Sequence, residues 1–300
     1  MADVAELDKA LKVLDSSLSQ MKWRLRSTTK RRLKVDVLAL CTGMRPVVMI
    51  DYGGKMPELQ EQLCALLKLS QKESSMFEHL RVMVIEDMIY LIHVTGLAEH
   101  VRSSLNSESK LLFVDLEHDP PQMITQTEKS PLASQLISIQ KIFSLTFTTR
   151  GMPDLSSSHN TDFAVDVKSN ASRSHVVIDL TNCMKDAQVT VPTLNGWLLG
   201  YPVVYMFSKE HITDAIYNLS TKYLRIFQIL VCRSSFLTKG SQPEELLSFS
   251  VPYDLSMRGS SEPWADAYLA HMLSKWEKCS HAWRFLRMEV NECYPQAIVL

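Results

Sequence analysis

The sequence predicts an α/β protein: helices flanking a central mixed sheet in layers, with α+β as the alternative arrangement. Three observations predict it. Stretches with a helical apolar period recur along the chain among short, strand-like apolar runs. Several adjacent runs are joined too tightly for a parallel crossover, which mixes antiparallel pairs into the sheet. Hydrophobic residues make up 46% of the 300 positions and charged ones 22%, enough to build a sizeable core. The whole chain, 1–300, reads as one globular domain.

Each element follows in order. Over 3–26, Val4, Leu7, Leu11, Leu14, Leu18, Met21 and Leu25 recur every three or four positions, predicting a helix packed on the core. The basic segment KWRLRSTTKRRLK follows at 22–34. The runs VDVLALC (35–41) and RPVVMIDYG (45–53) read as paired strands turning at Gly43. MPELQEQLCALLKLS (56–70) reads as a helix. LRVMVIEDMIYLIHV (80–94) reads as two strands turning at Glu86-Asp87, or one long strand. Residues 96–106 predict a helix, 110–117 a buried strand, and 130–145 a helix with Pro131 in its first turn. The Ser-rich stretch 151–174 has loop composition, either mobile or a boundary. Strand 174–180 resumes order. The remaining expectations are a helix over 208–223 capped by Ser208, a strand at 224–232, a turn at 240–246, a strand at 246–252, a helix at 262–283 and a strand at 284–293.

The longest apolar stretch is TVPTLNGWLLGYPVVYMF (190–207). From Leu194 to Phe207 it runs 14 residues, broken by Asn195, two glycines and Pro202. A spanning helix needs roughly 20 apolar residues, so this is core and no membrane span is expected. Asn195-Gly196 is a hairpin signal. The favoured alternative is a short helix capped by Thr193 and ended by Gly200, running on into a buried strand. A pocket lined by Trp197, Tyr201 and Tyr205 is a further reading of the same residues. The segment NGWLLGYPVVY, together with MIDYGG at 49–54, resembles the uncharacterised animal protein family named after human chromosome 1 open reading frame 74. The resemblance spans most of the chain. It implies an intracellular protein and carries no activity or functional residue with it.

Net charge is −1, which gives the whole chain no pull toward nucleic acid or an anionic membrane. The acidic start MADVAELDKALKVL lacks the basic and apolar regions of a secretory signal peptide. No Cys-x-x-Cys pair occurs among Cys41, Cys64, Cys183, Cys232, Cys279 and Cys293, so free thiols in a reducing compartment are expected. The expected location is cytoplasmic, with the nucleus as alternative. No motif fixes a reaction, and no metal site or cofactor is assigned.

One pattern points to chemistry. Strand-like runs end in Asp51, Asp115 and Asp179, and ligands of open α/β sheets sit beyond such ends. Acids meeting there could hold Mg²⁺ or a nucleotide-like ligand; the plain alternative is polar residues where buried strands meet turns. Gly53 and Gly54 in DYGG, ahead of a helix, could let a backbone approach a cofactor, though a plain turn is the favoured reading. His118, flanked by acids in DLEHDPP, is a candidate general base or a surface loop residue. Trp264, Tyr268, Met272 and Trp276 lie near one face of the C-terminal helix, as core or as a docking face for a protein partner. The expected function is therefore action through protein interactions. The alternative is an enzyme or cofactor-binding protein built on the strand-end carboxylates.

Overall fold

The computed structural model describes residues 4–106, 111–125, 130–149, 176–234 and 242–298. It is a layered α/β structure with eight α-helices and ten strands among these residues. Helix α1 (Val4–Gln20) buries Leu7, Leu11, Leu14 and Leu18, the face its period predicts. It stops short of the expected 26: residues 21–26 are irregular and carry Trp23 into the core.

The first correction concerns 35–41. These residues are not a strand but the second half of helix α2 (Ser27–Cys41). Every residue from Val35 to Leu40 is buried, so the helix meets protein on all sides there and shows no period. Gly43 does mark a turn, but as a helix stop. Its φ is +75°, its N–H reaches the Leu40 carbonyl at 3.2 Å, and Thr42 N–H reaches Leu38 at 2.9 Å.

Strand β1 (Val47–Met49) and helix α3 (Glu58–Glu73) follow. Strands β2 (Leu80–Ile85) and β3 (Met88–His93) form the two-strand hairpin, with Glu86 in the left-handed φ of +54° that such a turn needs. Next come α4 (Val94–Asn106), β4 (Leu112–Asp115), the unanticipated β5 (Gln122–Thr125), α5 (Pro131–Thr149) and β6 (Val177–Asp179). The apolar stretch is helix α6 (Val191–Leu198), Gly200 at φ +75°, and strand β7 (Val203–Met206), with Thr190 rather than Thr193 as N-cap. Helix α7 (Ile212–Ser220), strands β8 (Leu224–Arg233) and β9 (Glu244–Pro252), helix α8 (Pro263–Lys278) and strand β10 (Trp283–Cys293) complete the described chain. The 151–174 stretch lies outside the described residues, as do positions 240 and 241 of the expected turn.

The strands divide among three sheets, ordered β1-β3-β2-β6, β5-β4-β7 and β10-β8-β9. The first two are mixed and the third is antiparallel. The first sheet is covered on both faces. Met83, Ile85, Tyr90 and Ile92 join one cluster with α4–α6, while Val82, Val84, Ile89 and Leu91 join another with α1–α3. A third cluster joins β8 and β9 to α8 and one side of α2. In the α6–β7 corner, a Cβ at Gly196 would sit 2.9 Å from Val204, so only glycine allows that approach. No helix among the described residues is long and apolar enough to cross a membrane, and none of the six cysteines forms a disulfide.

Candidate functional site

The strand-end acids are kept apart. Asp51 follows β1 and Asp179 ends β6, at opposite edges of the first sheet and three strand spacings apart, or about 14 Å. Asp115 ends β4 in the second sheet. Two of the three are spent on their own loops. Asp115 Oδ1 accepts from Glu117 N–H at 2.8 Å and its Oδ2 meets His118 Nδ1 at 2.8 Å. Asp179 Oδ1 accepts from Thr181 N–H at 2.9 Å. These are Asx turns, the local chemistry that makes Asp common after strands. The His118 side chain is 70% exposed and faces Asp115 alone among charged partners. No group of three or more His, Cys, Asp and Glu among the described residues is placed to hold a metal ion.

The DYGG loop is closed by the protein itself. Trp23 Nε1 donates to the Gly53 carbonyl at 2.8 Å, and a Cβ on Gly53, whose φ is +88°, would come within 3.0 Å of that indole. Gly54 is exposed above Leu59. The aromatic face of α8 also turns inward. Tyr268 and Met272 are buried, and Trp264 packs on Phe227 with ring centroids 4.8 Å apart. Trp276 Nε1 donates to the Trp283 carbonyl at 2.8 Å.

The unusual chemistry lies in a buried polar seam between α2, β9 and α8. It starts from a β-bulge. Leu230 pairs with Glu245 and Ile229 with Leu247, which leaves Leu246 unopposed. Two arginines take up the freed carbonyls: Arg32 Nη1 donates to Glu245 at 2.6 Å and Arg45 Nη1 to Leu246 at 3.1 Å. Arg32 also pairs with Asp36 one helical turn on, at 3.1 Å, and Tyr52 Oη donates to the same Asp36 Oδ2 at 2.6 Å. Arg31 pairs with Glu244 and Lys34 with Asp15, so this part of the basic run is engaged within the chain.

Arg45 is different. The residue is 4% exposed, its Nε has no hydrogen-bond partner, and among the described residues it makes no ion pair. Asp36 acts on it electrostatically without touching it, and a buried cation with no touching counter-charge costs several kcal/mol, roughly, so its surroundings matter. Tyr201, Tyr268 and Lys275 all lie within electrostatic reach of it. Tyr201, Tyr268 and Trp264 ring the Phe249 side chain, with centroids 5.5, 5.7 and 6.2 Å away. The Tyr268 hydroxyl and the Trp264 indole N–H are buried without partners, as is Asp36 Oδ1. Asp51 reaches the rim, within range of Tyr52 and Tyr201.

Burial dominates the electrostatics. It pushes the Asp36 carboxyl above the usual carboxylate range against the pull of Arg32, and holds the Tyr201 and Tyr268 phenols protonated despite Arg45. Burial lowers the Lys275 ammonium, and Arg45 and Lys278 lower it further. His100 beside α8 is lowered to about 4 by burial, with Lys275 and His271 adding to the effect; its Nε2 meets the Trp197 carbonyl at 3.0 Å. The seam thus offers protonated donors and fixed positive charge in a dry setting, where such groups act on an anion far more strongly than in water.

Reading the sequence did not isolate these residues as a site. Arg32 lay within the basic segment 22–34 and Asp36 within an expected strand. With α2 recognised as a helix, Arg32 and Asp36 at spacing four would have stood out.

No curated protein and no solved structure shows significant similarity to the chain. A family model does match, over residues 15–300, and on that coverage the protein belongs to the family described as a domain of unknown function, DUF4504.

Proposed function

We propose that the protein binds a small anionic ligand in the Arg45 seam. The observation that carries this reading is the Arg45 guanidinium: 4% exposed, in no contact ion pair, its Nε unpaired, with the unpaired Tyr268 hydroxyl within its electrostatic reach. The orphaned groups here are Arg45 Nε–H, Tyr268 O–H and Trp264 N–H, so an acceptor-rich ligand satisfies them. Asp36 Oδ1 suits a hydroxyl or amine on the same ligand. Among the strand-end acids, Asp51 alone joins this reading, at the rim.

The experiment is a thermal-shift titration with inorganic phosphate, acetate and citrate. A bound anion at 100 times its dissociation constant stabilises the fold by about 2.7 kcal/mol. Arg45→Lys keeps a donor for the Leu246 carbonyl but loses the planar fork, and we expect it to abolish most of the shift. No shift with any anion would sink the proposal.

Two finer assignments accompany it. The segments NGWLLGYPVVY and MIDYGG support kinship with the animal family named after human chromosome 1 open reading frame 74. Six cysteines outside any disulfide, with Cys41 pushed up to about 12 by burial, support a reducing compartment, cytoplasmic or nuclear.

A further inference from the structure

The third sheet treats its two edges differently. Along β9 the Glu245, Leu246 and Ser250 carbonyls accept from Arg32, Arg45 and Tyr205, so that edge is tied into the protein. Strand β10 forms the opposite edge with 11 residues, Trp283–Cys293. Among the described residues, no strand pairs with its outer side, and no hydrogen bond from outside the sheet reaches its backbone between Phe285 and Glu292. A long open edge is a row of N–H and C=O groups ready to template another strand. Proline and lysine often blunt such edges, and β10 carries neither. It carries Arg284 and Arg287 in its first half and Glu289 and Glu292 in its second.

That order fits β10 to itself. An antiparallel pair about a two-fold axis through Met288 sets Arg287 opposite Glu289 of the second copy, Leu286 opposite Val290 and Arg284 opposite Glu292. Each pairing occurs twice by symmetry. The faces match as well. Leu286, Met288 and Val290 pack on the core that α8 covers, while Arg287 and Glu289 project from the other face, 54% and 41% exposed and free to take a further partner each. Moving the axis one residue either way sets Arg287 against its own copy or Glu289 against its own copy, and like charges directly opposite each other destabilise a strand pair. The bulge at Arg284 confines regular pairing to the residues after it. Glu292 already meets Arg225 at 3.6 Å, so the Arg287–Glu289 pairs carry the register.

We infer that β10 pairs with β10 of a second copy of this chain about an axis at Met288, joining two three-stranded sheets into one continuous antiparallel sheet. The pairing closes the open backbone edge and carries the apolar strip of Leu286, Met288 and Val290 across the axis. It also makes each intrachain Arg287–Glu289 pair, 2.6 Å apart, half of a cluster of four alternating charges. Pairing along one strand buries little area, so the expected dissociation constant is on the order of 10–100 μM.

The test is sedimentation of the full chain across and above that concentration range, where the parent is expected to pass from monomer to dimer. Arg287→Glu sets two acids opposite each other at both symmetric positions, and Glu289→Arg sets two cations there. Each variant alone is expected to dimerise at least about tenfold more weakly than the parent. Mixed in equal amounts, the two variants are complementary again, and a heterodimer about as tight as the parent dimer is expected. The mixture separates association from folding, because each variant lacks the intrachain Arg287–Glu289 pair whether alone or mixed. A parent that stays monomeric throughout, single variants that dimerise like the parent, or a mixture that fails to associate would overturn the pairing.

Discussion

Asp115 and Asp179 sit at strand ends near solvent, while Arg45 and Tyr268 sit inside the protein, and the two regions treat polar atoms in opposite ways. At the strand ends each carboxylate is answered within a few residues, by Glu117 N–H and His118 in one case and Thr181 N–H in the other. In the seam, donors from residues far apart in sequence are buried without partners. The cheap, local acids are satisfied; the costly, buried donors are not. Unanswered groups buried at a cost are where a fold departs from its own best stability, and such departures mark function more reliably than acids at turns do.

The largest expected effect comes from breaking the satisfied part of the seam. Asp36→Ala removes an acid that is 0% exposed and holds both Arg32 and Tyr52. We expect a loss of about 3 kcal/mol in denaturant unfolding, near the low end for a broken buried pair because Arg32 keeps some solvent. Gly53→Ala comes next. Forcing a Cβ into φ +88° costs about 1–2 kcal/mol, and the contact with Trp23 adds to it, so tryptophan emission should shift red as well.

A pH titration sharpens the comparison further. His100 titrates near 4 in the folded chain and near 6.5 in its absence, so the unfolded state binds more protons between those values. Stability should therefore fall as pH drops from 6.5 toward 4, by no more than about 1.4 kcal/mol per pH unit for this one proton. His100→Gln should flatten the slope relative to the parent over that window. His93, also lowered by burial and by His79, contributes with the same sign and remains in the variant. The smallest effects belong to the strand ends. Asp115→Asn and Asp179→Asn keep an oxygen for the turn, and each should cost under about 1 kcal/mol and leave anion binding untouched. A large loss of binding in either would erase the distinction between the two regions.

Much of the fold was legible because exposed faces leave a period. The faces of α1 and α3, the β2–β3 hairpin and the α6–Gly200–β7 corner all follow from spacing or from one turn residue. Helix α2 was illegible for the converse reason: six consecutive buried residues carry no period, and Gly43 signals a stop as readily as a hairpin. Strand β5, four residues long beside Pro120 and Pro121, offers too little alternation to read. The seam was hidden more deeply. Arg45, Tyr201, Leu246 and Tyr268 come from four separate segments, and nothing in a residue's neighbours says that its donor will lack a partner.

The most direct test of the seam as a ligand site is Tyr268→Phe, measured by denaturant unfolding with and without phosphate. The variant keeps the packing on Phe249 and deletes only a buried hydroxyl that has no partner. If that hydroxyl serves a ligand, the ligand-free variant is at least as stable as the parent and gains less stability from phosphate. A ligand-free variant that loses about 1 kcal/mol or more, with its phosphate response intact, would make the hydroxyl structural and contradict the account.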